Sequence, residues 1–409
     1  MLRTLRTILE AFSEPNFANL TIGHASGQLG VWVQRFAAGW LAWELTKSGA
    51  WLGIVAFADL FPTVIIGPFA GAAADRWNRL TLLKVSQFLA AVQATVLFVL
   101  VATDHITIIG LVILVGLQGV IDGFNVAARL SLLPSVVKPG HLPAAVAINS
   151  IVSNVARFVG PALAGLMITL GDTSLAFLAN ALTHAIFFVA LWWVTVPPAE
   201  LVVEVKNSFA KDLANGFRYT ASHPGIATLM LLMIATTASS RPIMDLMPGF
   251  AARIFETGAD GLALLSSSIG VGAIFGGFLL GVRANPEKLI PLLLMSCLLL
   301  SLATIAFTAT SSLYLAVPIL ALLGACMALS GIAAQTSIQL SVDARMRGRV
   351  IAFYGMIMRG APSVGALVMG FAAEFFGFRA PVAVGALVLL LVLLWAFLRR
   401  DVVMSSLKS

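Results

Sequence analysis

The sequence predicts an all-α membrane protein: twelve transmembrane helices in two pseudo-symmetric six-helix bundles. Three observations predict it. Hydrophobic residues make up 59% of the 409 positions and charged residues 11%, where a soluble domain carries about 25% charged residues. The apolar residues gather into twelve runs, each near the ~20 residues that cross a bilayer core. Lys and Arg fall almost wholly on alternate connections between those runs, the asymmetry that orients membrane proteins.

The runs lie at about 17–43, 50–74, 80–102, 106–134, 143–170 and 173–196, then 225–252, 260–282, 288–309, 312–340, 348–374 and 379–398. The first is too long for a signal-peptide core of about 7–15 residues and reads as a retained span. Pro62, Pro161, Pro242, Pro318 and Pro362 interrupt runs. Membrane helices tolerate them because neighbouring helices satisfy the freed backbone groups. With the N-terminus placed in the cytoplasm, only Lys47, Arg253 and Arg379 fall on the opposite side. Arg35, Arg157, Arg241 and Arg359 lie inside spans, and the other Lys and Arg are cytoplasmic. Both termini are therefore expected in the cytoplasm. The net charge of +7 belongs to the membrane face, not to nucleic acid.

The one long connection, 197–224, begins with Pro197 and Pro198 and then sets Phe209, Leu213 and Phe217 at helical spacing beside Lys206, Lys211 and Arg218. It reads as a linker carrying an amphipathic helix on the inner membrane face. Its position divides the chain into bundles of residues 1–196 and 225–409. Arg35 precedes Arg241, and Arg157 precedes Arg359, at closely matched offsets. Gly160-Pro161 and Gly360-Ala361-Pro362 follow the second pair. Such internal repeats are common in transporters. The two cysteines, Cys297 and Cys326, lie in apolar runs without metal-ligand spacing and read as small buried hydrophobes.

Charged side chains at membrane depth normally face a cavity or a partner. The acidic candidates are Asp59, Asp122 and Asp245. Arg35 with Asp59, and Arg241 with Asp245, are candidate pairs; a transport role is the alternative for each. Gln118, Asp122, Asn125 and Arg129 form one polar stripe, and His24, Gln28 and Arg35 another. A nearby cation holds a carboxylate in its charged form. Asp122 has none nearer on its stripe than Arg129, which makes it the first choice for a proton site, ahead of Asp59, Asp245 and His24. His24 and His184 are titratable, though a packing role is the simpler reading. Gln28, Arg35, Gln118, Asn125, Arg157, Arg241 and Arg359 are the candidate cavity residues. Arg157 and Arg359 either anchor an anionic substrate or satisfy carbonyls and acids within their own halves. Trp32 and Trp40 either touch an amphipathic substrate or pack at the lipid interface.

Gly71-Ala72-Ala73-Ala74-Asp75-Arg76-Trp77-Asn78-Arg79 resembles the signature loop between helices 2 and 3 of the major facilitator superfamily. Asn78 stands where that signature has its second Gly, and Asn tolerates a left-handed turn. Arg157 through Gly160-Pro161 to Gly165 resembles the Gly-Pro motif of that family's antiporters. Gly53 to Arg76, Gly119 to Val137 and Arg347-Gly348-Arg349-Val350 resemble the enterobactin-exporter-like group of bacterial efflux proteins. Gln118-Gly119 is present, but Val115 stands where many drug–proton antiporters have an Arg, so that residue's role is not carried over.

The resemblance implies the major facilitator fold with helices 1 and 4 lining its central cavity, so both stripes are expected to face water. It implies a secondary transporter of the bacterial inner membrane working by alternating access, with protons, a small-molecule substrate and the bilayer as partners, no cofactor, no metal and a monomeric state. The expected activity is proton-coupled export of a small amphipathic or anionic molecule, siderophore-like or drug-like. Alternatives are an importer or lysophospholipid transporter of the same fold, or, in another class, a channel or non-transporting scaffold. No Gly-Lys phosphate loop, His-Glu-x-x-His or Gly-x-Ser-x-Gly element supports an enzyme. Asp75, Arg76 and Arg79, with Arg347 and Arg349, are expected to form a conformational latch at the start of helix 11. Replacing Asp75 with Asn should bias the protein inward-open, read as changed cysteine accessibility at both cavity mouths; unchanged accessibility would remove the latch.

Overall fold

The computed structural model describes Glu10 and residues 12–196, 209–283, 288–343 and 345–399. The chain divides into two compact units: Met1–Leu45 with Ala58–Glu204, and Thr46–Phe57 with Val205–Ser409. Residues 197–208 of the expected linker lie outside the described residues.

The first unit is built on α1 (Pro15–Thr46), α2 (Gly49–Arg76), α3 (Arg79–Ala102), α4 (Ile108–Leu132), α5 (Leu142–Leu170) and α6 (Thr173–Ala190). Residues up to Phe57 of α2 belong with the second unit. Side-chain caps start three of these helices and satisfy orphan backbone donors. Asn78 Oδ1 accepts from Thr81 N at 3.0 Å, Thr107 Oγ1 from Gly110 N at 3.1 Å, and Asp172 Oδ1 from Ser174 N at 2.7 Å. Asn78 has φ −62° and ψ 114°. The left-handed conformation that Asn tolerates is not used here, because the residue serves as an N-cap, which needs extended backbone.

α3 packs on α4 and α6. Phe17, Leu20, Leu83, Leu132, Phe187 and Leu191 are among the buried residues of one cluster near the α2–α3 turn. Farther along, α1 approaches α6 through Gly23, Gly27 and Gly30, where a Cβ would meet Phe187, then Phe187 again, then Thr183 and Asn180. Small residues at such crossings let helix backbones close up where lipid gives no hydrophobic drive.

The second unit contains the amphipathic helix α7 (Phe209–Ser222), then α8 (Pro224–Ser240), α9 (Pro242–Arg253), α10 (Ala259–Arg283), α11 (Leu289–Ala309), α12 (Leu313–Ser341), α13 (Arg347–Phe376) and α14 (Arg379–Leu398). The single span expected over 225–252 is thus two helices joined at Arg241. Pro242 has no N–H for the ladder and opens α9 as an N1 residue. Arg241 keeps helical angles, φ −66° and ψ −35°, so the joint is a kink. α10 crosses α12 backbone to backbone at Gly272, Gly276 and Gly324. The Lys47–Ala50 turn is tied to α13: Ser48 Oγ and Ala50 N both donate to Glu374 Oε1, the latter at 3.1 Å.

Among the described residues, eleven stretches are long and apolar enough to cross a membrane. α1 is not among them; His24, Gln28, Gln34 and Arg35 interrupt its 32 residues. Large apolar side chains such as Leu170, Phe278, Tyr314 and Phe375 are exposed. In water such surfaces would aggregate, whereas lipid solvates them. This is an all-α, multi-span membrane protein.

Candidate functional site

Two cations at membrane depth in the first unit, Arg35 and Arg157, meet at Trp32. One turn of α1 separates Trp32 from Arg35. Arg35 Nε donates to Asp59 Oδ2 on α2 at 2.6 Å, and its Nη2 donates to the same oxygen. The guanidinium carbon of Arg35 lies 5.0 Å from the Trp32 ring centre, and that of Arg157, on α5, lies 5.1 Å from it. Both distances suit a cation–π contact. Gly160 packs against Trp32, so a Cβ there would strike its side chain and backbone. The Gly-Pro motif therefore brings α5 onto α1 one turn beyond Arg157. Trp32 is buried, and its Nε1 has no hydrogen-bond partner among the described residues. An unsatisfied indole donor and two guanidinium groups thus lie together between α1, α2 and α5.

The α4 stripe is partly internal. Gln118 Nε2 donates to Asp122 Oδ1 at 3.1 Å. Asp122 is half-buried. The Gln118 amide, four residues away on the same stripe, is thus a neutral partner of the carboxylate, which the search for charges passes over. Gly119 carries no side chain because the Ala58 and Asp59 carbonyls of α2 lie against it. Asn125 is half-buried. Arg129 is buried, and its Nη1 donates to Asn149 Oδ1 on α5.

On the α1 stripe the expectation of facing water is corrected for His24 alone, where the packing reading is the one observed. Gln28 and Arg35 are half-buried, but His24 is 5% exposed, with its ring 6.4 Å from that of Phe187. It packs between helices instead of facing water. Nearby lies a polar layer that sequence reasoning missed apart from His184. Asn180 Nδ2 donates to Gln34 Oε1 at 2.7 Å, Gln93 Nε2 to the Leu114 carbonyl at 3.0 Å, and His184 Nδ1 lies 2.8 Å from Gln87 Oε1. Buried polar side chains in lipid-facing helices need such partners. The signal available was the presence of two amide side chains, Gln87 and Gln93, inside a run that must cross the membrane.

In the second unit, Arg241 sits at the α8–α9 kink, where Met244 N donates to its carbonyl at 3.0 Å. Asp245 and Arg359 are half-buried. Asp75 and Arg76 are exposed at the end of α2. Arg79 donates from Nε to the Ala74 carbonyl at 3.3 Å and from Nη1 to the Ser131 carbonyl at 3.2 Å, tying the α2–α3 turn to the end of α4. Arg347 is exposed, and Arg349 Nη1 contacts Met346 Sδ at 3.4 Å. Two of the cations expected on the opposite face brace loops: Arg253 Nη2 donates to the Lys47 carbonyl at 2.9 Å and Arg379 Nη2 to the Thr310 carbonyl at 3.0 Å.

A family profile described as transmembrane secretion effector matches residues 7–407. The chain belongs to this family. It is a major facilitator superfamily transporter, not a member of an enzyme family. The staphyloferrin A transporter of Staphylococcus aureus is 23% identical over 362 residues, covering 85% of this chain and 87% of that one. The multidrug efflux pump Tap of Mycolicibacterium fortuitum is 27% identical over 400 residues, 94% of each chain. The fold is also similar to a bacterial homologue of the human lysosomal transporter Spinster, solved inward-facing and occupied. Its TM-score is 0.77 at 14% identity, over 95% of this chain and 97% of the other. The chain is thus a multi-pass bacterial membrane protein, a secondary transporter of the alternating-access type for a small organic molecule.

Proposed function

We propose that this transporter exports a small amphipathic molecule with an anionic group, driven by protons moving inward. The observation that carries the reading is the Arg35–Trp32–Arg157 arrangement, an aromatic surface with two guanidinium groups and a buried indole donor. Arg recognises carboxylate or phosphate with paired donors, and the indole N–H adds a third donor. The resemblance to enterobactin-exporter-like proteins and the names of the siderophore transporter and the efflux pump point the same way. In this reading the chain forms two six-helix bundles, 1–196 and 225–409, with the 197–224 connection and both termini cytoplasmic. In the second unit, Asp245, Arg241 and Arg359 are the proposed transport residues. One charge crossing 100 mV supplies about 2.3 kcal/mol, so one or two protons support useful accumulation.

Asp122 is the proposed proton carrier. Asn at that position keeps an oxygen that accepts from Gln118, so Asp122→Asn removes the charge while preserving the contact. In proteoliposomes, Asp122→Asn should retain substrate binding and lose uptake driven by a pH gradient. Uptake that still follows the pH gradient would remove Asp122 from coupling. Flux that rises without saturation would indicate a channel.

A further inference from the structure

α7 is held firmly to the start of α13. Gly216 packs closely on the Arg349 backbone, where an added Cβ would lie 3.0 Å from the Arg349 carbonyl oxygen. Tyr219 Oη donates to Asp343 Oδ2 at 3.2 Å. Phe217 meets the edge of Phe353 with ring centres 5.7 Å apart. Asp343 also accepts from Met346 N and Arg347 N through its carbonyl, each at 2.9 Å, so one short turn joins α7, α12 and α13.

This end of the second unit carries more cation than it neutralises. Arg218, Arg345 and Arg347 are all exposed, and none of their guanidinium groups makes a hydrogen bond or ion pair among the described residues. Asp343, the acid of the turn, is already occupied by Tyr219. Beside Arg218, Phe217 is 58% exposed despite its contact with Phe353. A water-facing loop has no use for an open phenyl ring. A ring next to unpaired arginines at the end of a membrane span suits the headgroup boundary, where the ring enters the acyl region and the cations meet phosphate.

We propose that Arg218, Arg345 and Arg347, together with Phe217, bind the headgroup of an anionic phospholipid. The charge selects an anionic over a zwitterionic lipid, and the ring selects a lipid over free phosphate. A lipid held here bears directly on the first turn of α13 through the Gly216–Arg349 contact. The inference does not depend on the direction of transport or on the substrate.

The test uses the full-length protein in neutral detergent, titrated with phosphatidylglycerol or with phosphatidylethanolamine of matched chains, and read by native mass spectrometry. Phosphatidylglycerol should bind more tightly. Each exposed arginine near a membrane surface contributes about fivefold, so the Arg218→Gln/Arg345→Gln double variant should weaken phosphatidylglycerol about 25-fold and leave phosphatidylethanolamine unchanged. Arg218→Lys/Arg345→Lys should keep most of the affinity, which separates charge loss from misfolding. Phe217→Ser should weaken phosphatidylglycerol as well. Equal binding of the two lipids, or an unchanged double variant, overturns the proposal. So does millimolar inorganic phosphate displacing the lipid while Phe217→Ser has no effect, because that outcome describes an anion site without a lipid component.

Discussion

Arg35→Ala should destabilise the protein by about 3–5 kcal/mol, the range for breaking one side of a buried ion pair. The Arg35 and Asp59 side chains are 25% and 15% exposed, so the pair is largely withdrawn from solvent. Without the guanidinium, Asp59 loses both donors that reach its Oδ2, and a carboxylate at membrane depth is left uncompensated. The same substitution removes one of the two cations beside Trp32. Replacing both partners with apolar residues of similar volume, Arg35→Met with Asp59→Leu, should restore most of the loss, because an apolar pair leaves no buried charge. Equilibrium unfolding in mixed micelles measures the stability, and proteoliposome uptake measures the activity. A single variant within about 1 kcal/mol of the parent would contradict the pair's burial. A double variant that folds yet fails to transport would place the pair in the transport path; full transport would leave it a packing element.

The helices are legible in the sequence because lipid imposes a length and a composition on each, and most observed ends fall within a few residues of the apolar runs. The Arg35–Asp59 contact is legible because few charges lie inside the spans and these two share a depth. Other features depend on distinctions the same letters do not make. Pro242 reads as a tolerated interruption, since membrane helices accept proline, yet it opens a new helix after Arg241. Asn78 reads as a residue that tolerates a left-handed turn, when Asn is equally an N-cap and the Arg79-Leu80-Thr81 run that follows needs one. The Arg129–Asn149 and Asn180–Gln34 contacts join distant positions, and nothing local marks which partner each polar group finds. The grouping of residues 46–57 with the second unit is likewise a packing outcome. It follows from Gly49 and Gly53 lying against the α13 backbone near Gly370 and Ala366, which hydropathy does not encode.

Gly272→Ala should cost about 2–3 kcal/mol, toward the upper part of the range for overpacking a close contact. The methyl would fall onto the carbonyl of Ala321 on α12. A backbone carbonyl in a helix cannot rotate aside as a side chain does, so the two helices must separate. The contact is reciprocal: a Cβ on Gly324 would fall onto the Ile269 carbonyl of α10, and Gly276 lies against Ala325. Separation at one point therefore loosens all three. Lipid tails are as apolar as the side chains, and no hydrophobic drive closes the gap again. Gly277, on the same helix, has nothing within 4 Å of the place a methyl would take. There Ala removes glycine's helix penalty of about 1 kcal/mol, so Gly277→Ala should be neutral or slightly stabilising. Two identical substitutions on one helix should thus act with opposite sign in the same unfolding assay. Equal effects would mean that α10 and α12 do not meet through their backbones, and that helix propensity alone governs both positions.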